Sequence, residues 1–242
     1  LGDLDAGGFR EKCAVPGREG DLYRVLRDLL GPEENRRHLA EASPDPAIPR
    51  RNTGYALDLL ARSAVFGEPG GGPLNLARLV AGSEGTLFLA TRIRLRCAEL
   101  PPRHVALACA HFHSIADSLE ANLTALEAGP FACELIDHHI LDGTKRNLEF
   151  QRHRFFIEGD PRALLVVELR DPSEAALEQR MAALRKALVG HGKAFACPVV
   201  RGRDCTRVWD LRNAGLGLLS NVPGDPKPVA VIEDTAVRPG EL

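Results

Sequence analysis

The chain has few large aromatic side chains and no paired cysteine motifs. Its 242 residues hold one tryptophan and two tyrosines, with aromatics only 5% in all, so there is little flat surface on which nucleobases could stack. Six cysteines stand at 13, 97, 109, 133, 197 and 205, and no two form Cys-x-x-Cys. That spacing removes the common zinc and redox-dithiol motifs. Cys97, Cys109, Cys133 and Cys197 lie in or beside apolar stretches, where a thiol behaves as a small hydrophobe. A chain of this size needs no disulfide staples, and the cysteine usage reads as a reducing, cytoplasmic setting. No run of about eighteen apolar residues occurs, so no transmembrane segment is expected. The first residues lack the basic-then-apolar pattern of a signal peptide. A formal charge of −2 exerts no general pull toward nucleic acid or an anionic membrane.

The remaining composition, 44% hydrophobic and 26% charged, is that of a globular protein with room for one large or two ordinary domains. Residues 1–20 hold several glycines and no sustained period, and read as an irregular lead-in. Asp21 to Leu30 predicts a helix with Leu22, Val25, Leu26, Leu29 and Leu30 as its apolar stripe. Gly31 stops it, and Pro32 opens a second helix over Glu33 to Ala42. Ser43 to Pro49 is extended, and Glu68 to Pro73 is a surface loop. Pro73 to Ala81 predicts a helix, and Leu87 to Cys97 alternates as a strand, with Ile93, Leu95 and Cys97 set against Arg92, Arg94 and Arg96.

Glu99-Leu100-Pro101-Pro102 breaks the chain, and a different pattern follows. Strands are expected at His104 to Phe112, Phe131 to Ile136, Ala163 to Leu169 and Lys193 to Val200. Ser114 caps a helix that runs to Ala128, with Ile115, Leu119, Leu123 and Leu126 facing inward. Asp137 to Asn147 is a short helix. Ser173 opens a helix to Val189 that carries Leu177, Met181, Leu184 and Leu188. This β-α-β, β-α-β order predicts a ferredoxin-like α+β unit, two helices on one antiparallel sheet. Asp204 to Leu219 reads as helical and Pro228 to Glu233 as a strand.

Everything turns on Gly82-Ser83-Glu84-Gly85-Thr86, a tight turn between a helix and the alternating segment. Its glycines permit positive φ and close backbone approach, and exposed backbone N–H groups in such a turn can hold phosphate oxygens. Alone it is an ordinary turn. Upstream, Asn52-Thr53-Gly54-Tyr55 has the same small, turn-forming chemistry. Taken together, Asn52-Thr53-Gly54-Tyr55-Ala56-Leu57 and Gly82-Ser83-Glu84-Gly85-Thr86-Leu87 resemble the FAD-linked oxidases, flavoproteins of the vanillyl-alcohol-oxidase type. The likeness is to the branch of the glycolate oxidase flavin subunit, D-lactate dehydrogenase and D-2-hydroxyglutarate dehydrogenase. It is nearest to the long bacterial members that are fused to an iron–sulfur module. Trp209-Asp210-Leu211-Arg212 and the segment Lys227 to Val237 are similar to later motifs of the branch, in the same order.

The resemblance implies the second part of an FAD-binding domain over 1–100, joined to a ferredoxin-like substrate or cap domain over 101–242. It implies that the chain is a fragment, inactive alone, with a Pro-Gly-rich first lobe before Leu1 and a histidine-bearing segment after Leu242. Asn52, Thr53, Gly54, Tyr55, Gly82, Ser83, Glu84, Gly85 and Thr86 would contact FAD. Arg212 would bind the carboxylate of a small D-2-hydroxy acid, since its planar fork matches that group; Lys227 is a second candidate, set against a plain surface lysine. Electrons would leave through a fused or partner iron–sulfur module. No catalytic base is expected in this chain, and Glu84 has no second carboxylate to work with. His111 with His113, and Asp137 with His138 and His139, carry zinc-compatible donors. None of these matches the branch's metal ligands, so they read as ordinary histidines. The competing reading is a non-catalytic ferredoxin-like module that binds a small acid or a protein; such a module has no reason to carry both turns.

Overall fold

The computed structural model describes residues 2–48, 54–190, 192–220, 224–225 and 236–242, apart from the side chains at 146 and 216. The fold is α+β, in two compact units. One runs through Arg96 and takes in the described residues 236–238 as well; the other begins at Cys97 and takes in Pro239–Leu242.

The first unit opens with α1 (Ala6–Ala14), α2 (Arg18–Leu30) and α3 (Glu33–Ala42), followed by the short α4 (Leu57–Ala61) and α5 (Ala77–Ala81). The helix α1 replaces the irregular lead-in read from the sequence. Gly7 and Gly8 lower its helix propensity, but the Asp5 side chain accepts the Gly8 N–H at 2.7 Å and supplies the N-cap. Phe9 then packs edge-on against Tyr23 and Phe66, with ring centroids 6.1 and 5.5 Å away. Leu26, Leu30, Leu60, Leu74 and Leu76 complete this core. The α2 stripe differs from the expected one. Tyr23, Leu26 and Leu30 are buried, whereas Leu22, Val25 and Leu29 are exposed. The aromatic ring at 23 turned the helix toward Phe9. The helix expected from Pro73 forms only from Ala77. Leu87 to Cys97 is not a strand either: it has no ladder partner among the described residues, and Leu89, Ile93 and Leu95 are exposed. Alternation makes a strand only where a neighbour accepts its hydrogen bonds.

The second unit runs β1 (His104–Phe112), α6 (Ile115–Glu127), β2 (Ala132–Asp137), α7 (His138–Arg146), α8 (Leu148–Gln151), β3 (Ala163–Asp171), α9 (Glu174–Gly190), β4 (Ala194–Ala196), β5 (Val199–Arg201), α10 (Asp204–Asn213) and α11 (Gly215–Ser220). The strand order is β2-β3-β1-β4, all antiparallel, with β5 also on β1. That is the ferredoxin-like arrangement. The expected strand from Lys193 is split in two at Cys197-Pro198, because proline cannot donate to the ladder.

Both faces of the sheet are covered. Ala106, Ala108, Ala110, Phe112, Leu165, Val167 and Leu169 pack against α6 and α9. Leu107, Cys109, Leu164, Val166 and Ile136 pack against Leu141, Phe156, Val208 and Leu211. This double burial is why β1 and β3 read as continuous apolar runs. On α9 the buried set is Leu177, Met181, Leu184 and Leu188, as the spacing predicts. On α6 it is not the leucine stripe. Ser118, Ala121 and Ala125 face the sheet, while Ile115, Leu123 and Leu126 are exposed. The strand Pro228 to Glu233 lies outside the described residues. Among the described residues, no helix is long and apolar enough to cross a membrane.

Candidate cofactor turns and carboxylate anchor

In the first unit, two turns far apart in sequence meet through their backbones. Gly82 closes α5, and a Cβ placed there would lie 2.6 Å from the Gly54 carbonyl oxygen, so only glycine allows the approach. Ser83 is buried and its hydroxyl donates to the Val80 carbonyl at 2.8 Å. The Ser83 carbonyl accepts the Thr86 N–H at 2.9 Å and the Thr86 hydroxyl at 2.6 Å. Between them Glu84 and Gly85 have φ of 47° and 77°, the positive pair required by a type I′ turn. A glutamate in that region is strained by roughly 1 kcal/mol. Such outliers gather at ligand sites.

The Tyr55 phenol reaches across to the Thr86 hydroxyl at 2.7 Å. Because Thr86 already donates to Ser83, Tyr55 is the donor. The structure therefore brings together Gly54, Tyr55, Gly82, Ser83, Glu84, Gly85 and Thr86. Asn52 and Thr53 lie outside the described residues. A Cβ at Gly54 or Gly85 would meet nothing within 4 Å, so the surface of this double turn is open. Small hydroxyls, backbone amides and open space suit a cofactor rich in phosphate and hydroxyl groups.

In the second unit, α10 carries Trp209 and Arg212. Val208 and Leu211 are fully buried and fix the helix against the sheet. The Trp209 indole N–H donates to Glu168 at 2.8 Å, and the Arg170 guanidinium takes the other Glu168 oxygen. Arg170 in turn lies 4.1 Å over the Phe131 ring. Glu168 is 3% exposed, a buried carboxylate with both oxygens engaged. Arg212 lies at the exposed end of the helix, and its Nη2 donates to Glu134 at 2.9 Å. Glu134 pairs in register with Val166, and Ala132 with Glu168. Glu134 and Glu168 therefore rise from the same face of the sheet toward the same helix. Neither was singled out from the sequence. For Glu168 the signal was there: a lone charge inside the apolar run Ala163–Leu169. Lys227 lies outside the described residues.

The histidines are held locally. His111 is fully buried, with Nδ1 donating to the Cys109 carbonyl at 2.8 Å and Nε2 accepting the Glu158 N–H at 3.1 Å. Burial holds its pKa below the ordinary imidazole value. His113 stacks on Phe195 at 4.4 Å, and His138 lies against His139 at 4.0 Å. Burial pushes the Cys197 and Cys205 thiols up to about 11, away from the reactive thiolate.

The profile of the family described as FAD linked oxidases, C-terminal domain, matches residues 101–242. The chain belongs to the FAD-linked oxidase family. It is similar to a D-2-hydroxyglutarate dehydrogenase of Pseudomonas putida, 26% identical over 251 residues, covering 99% of this chain and 23% of that protein. It is also similar to a D-2-hydroxyglutarate dehydrogenase of Escherichia coli, 28% identical over 178 residues, covering 69% of this chain and 17% of that protein. The chain thus spans about a fifth of the length of the curated relatives it matches.

Proposed function

We propose that this chain is part of an FAD-dependent oxidoreductase that oxidises a D-2-hydroxy acid of the glycolate, D-lactate or D-2-hydroxyglutarate class. The observation that carries the reading is the backbone contact between the Gly54 and Gly82 turns. The family and the names of the relatives agree with it. On this reading the first unit is the later part of the FAD-binding domain and the second is the cap. Asn52, Thr53, Gly54, Tyr55, Gly82, Ser83, Glu84, Gly85 and Thr86 hold the FAD, chiefly through backbone and hydroxyl groups. Bound FAD supplies the acceptor for the two electrons lost when the hydroxy acid becomes a 2-oxo acid.

This chain's own part in the chemistry is orientation. Arg212, assisted by Lys227, holds the substrate carboxylate. Glu168 fixes Trp209 and, through α10, the position of Arg212. The base that takes the hydroxyl proton lies outside this chain. The relatives are long enough to carry further modules, and we assign the onward electron path to an iron–sulfur module, fused or separate. Free cysteines throughout suit a reducing cytoplasm.

Arg212→Lys in the complete flavoprotein tests the reading. Lysine keeps the charge and loses the fork, and a charge-assisted hydrogen bond contributes roughly 1.5–3 kcal/mol. The expected result is a ten- to hundredfold fall in kcat/KM across D-2-hydroxy acids, at about 1.4 kcal/mol per decade. Bound flavin and thermal midpoint stay unchanged. Unaltered kinetics would remove the carboxylate anchor.

A further inference from the structure

Two carboxylates tie α10 to the sheet, and they differ in one respect that matters for ligand binding. Glu168 is buried with both oxygens engaged. Withdrawing it would leave an indole N–H without its acceptor and a charge in the core, a costly state. Glu134 and Arg212 are different, with side chains 39% and 44% exposed. Glu134 can swing into water at little cost, because exposed ion pairs are weak. The guanidinium it leaves is a general carboxylate receptor.

We propose that Glu134 is an internal competitor, a carboxylate that occupies Arg212 until the carboxylate of the small-acid substrate displaces it. This deepens the reading of Arg212 as substrate anchor and rests on it. The exchange conserves charge at the guanidinium: one carboxylate leaves and another arrives, and no bond is made or broken covalently. The pair therefore keeps Arg212 oriented toward the sheet face. It also weakens apparent substrate affinity by the fraction of molecules in which Glu134 holds the guanidinium. An uncharged ligand cannot drive the exchange, so the pair also selects for acids.

Trp209 reports on this directly. It is the only tryptophan in the chain and lies one helical turn before Arg212 on α10. The experiment titrates the 242-residue chain with D-lactate, and with methyl D-lactate as the uncharged control, following tryptophan emission in wild type, Glu134→Gln and Arg212→Gln. Glu134→Gln is expected to lower the half-saturation concentration about two- to fivefold, the scale of a lost exposed ion pair. Arg212→Gln and the ester should give no saturable response. In the complete flavoprotein, Glu134→Gln should lower KM by the same factor and leave kcat unchanged. An equal or higher half-saturation in Glu134→Gln, or an unchanged KM for that variant in the complete flavoprotein, overturns the competitor. If Arg212→Gln titrates like wild type, the anchor itself fails, a result distinct from failure of the competitor alone.

Discussion

At the scale of single residues, the side chains around the Gly54 and Gly82 turns and on β1 are held by hydrogen bonds that only a fold can arrange. Glu84 accepts a left-handed backbone so that Ser83 and Thr86 can close their turn. His111 has both ring nitrogens committed to backbone groups, one as donor and one as acceptor, and that pairing requires the neutral ring. With its folded pKa held down by burial, the unfolded chain binds a proton that the folded chain refuses. Stability at His111 is therefore present above the ordinary imidazole value, about 6.5, and falls as pH drops from there toward the folded pKa. Denaturation midpoints of the wild type should fall between pH 7.5 and 5.5. His111→Gln should be less stable at neutral pH yet lose less on acidification. Parallel pH curves for the two proteins would show that His111 is not held neutral. The sequence reads His111 as an ordinary histidine. One backbone partner, Cys109, is two residues away, but the other, Glu158, is 47 residues away and belongs to no local pattern.

At the scale of elements, α6 and α9 show when an apolar stripe identifies a buried face. Both show leucine periodicity. The α9 stripe is buried and the α6 stripe is not. The sheet surface beneath α6 is reached by Ser118, Ala121 and Ala125, whose small side chains let the helix come close. Larger residues on α9 fill the space over Phe112, Leu165 and Val167. The two faces should respond differently to truncation. Leu188→Ala removes a fully buried side chain and is expected to cost about 2–5 kcal/mol. Leu123→Ala, on a residue 43% exposed, should stay within about 0.5 kcal/mol. Urea midpoints of the two variants check this, and equal losses would put Leu123 in the core after all. Helix caps were easier to read. Ser114 accepts the Asp117 N–H and Asp137 the Ile140 N–H, each a short-range bond between neighbours in sequence.

At the scale of the whole molecule, the chain passes from one compact unit to the other at Arg96 and Cys97, just before the Glu99-Leu100-Pro101-Pro102 break. The segment from Phe88 to Pro102 carries no helix or strand, and Arg92, Arg94 and Arg96 are exposed within it. Trypsin at low ratio is expected to cut there well before it cuts inside β1 to α10. The C-terminal product should keep a cooperative thermal transition, because its sheet is covered on both faces by its own helices. Mass spectrometry of the first fragments and a melt of the purified product read the outcome. Early cleavage between β1 and α10, or a product without a transition, would show that the second unit does not stand alone.

What the sequence determined by itself was local or periodic. The ferredoxin-like order could be read from strand and helix spacing, because β1 and β3 are long apolar runs and α9 repeats at helical intervals. The two turns could be read from their glycines and small hydroxyls. What only the tertiary structure decided depends on pairing across distance. It brought Gly54 against Gly82, joined Tyr55 to Thr86, and set Glu168 and Glu134 under α10. It also decided against Leu87 to Cys97 as a strand and chose the small face of α6 over the leucine face. The physical reason is the same in each case. Propensity and periodicity state what a segment can form, but the groups that accept its hydrogen bonds and cover its apolar side belong to other parts of the chain.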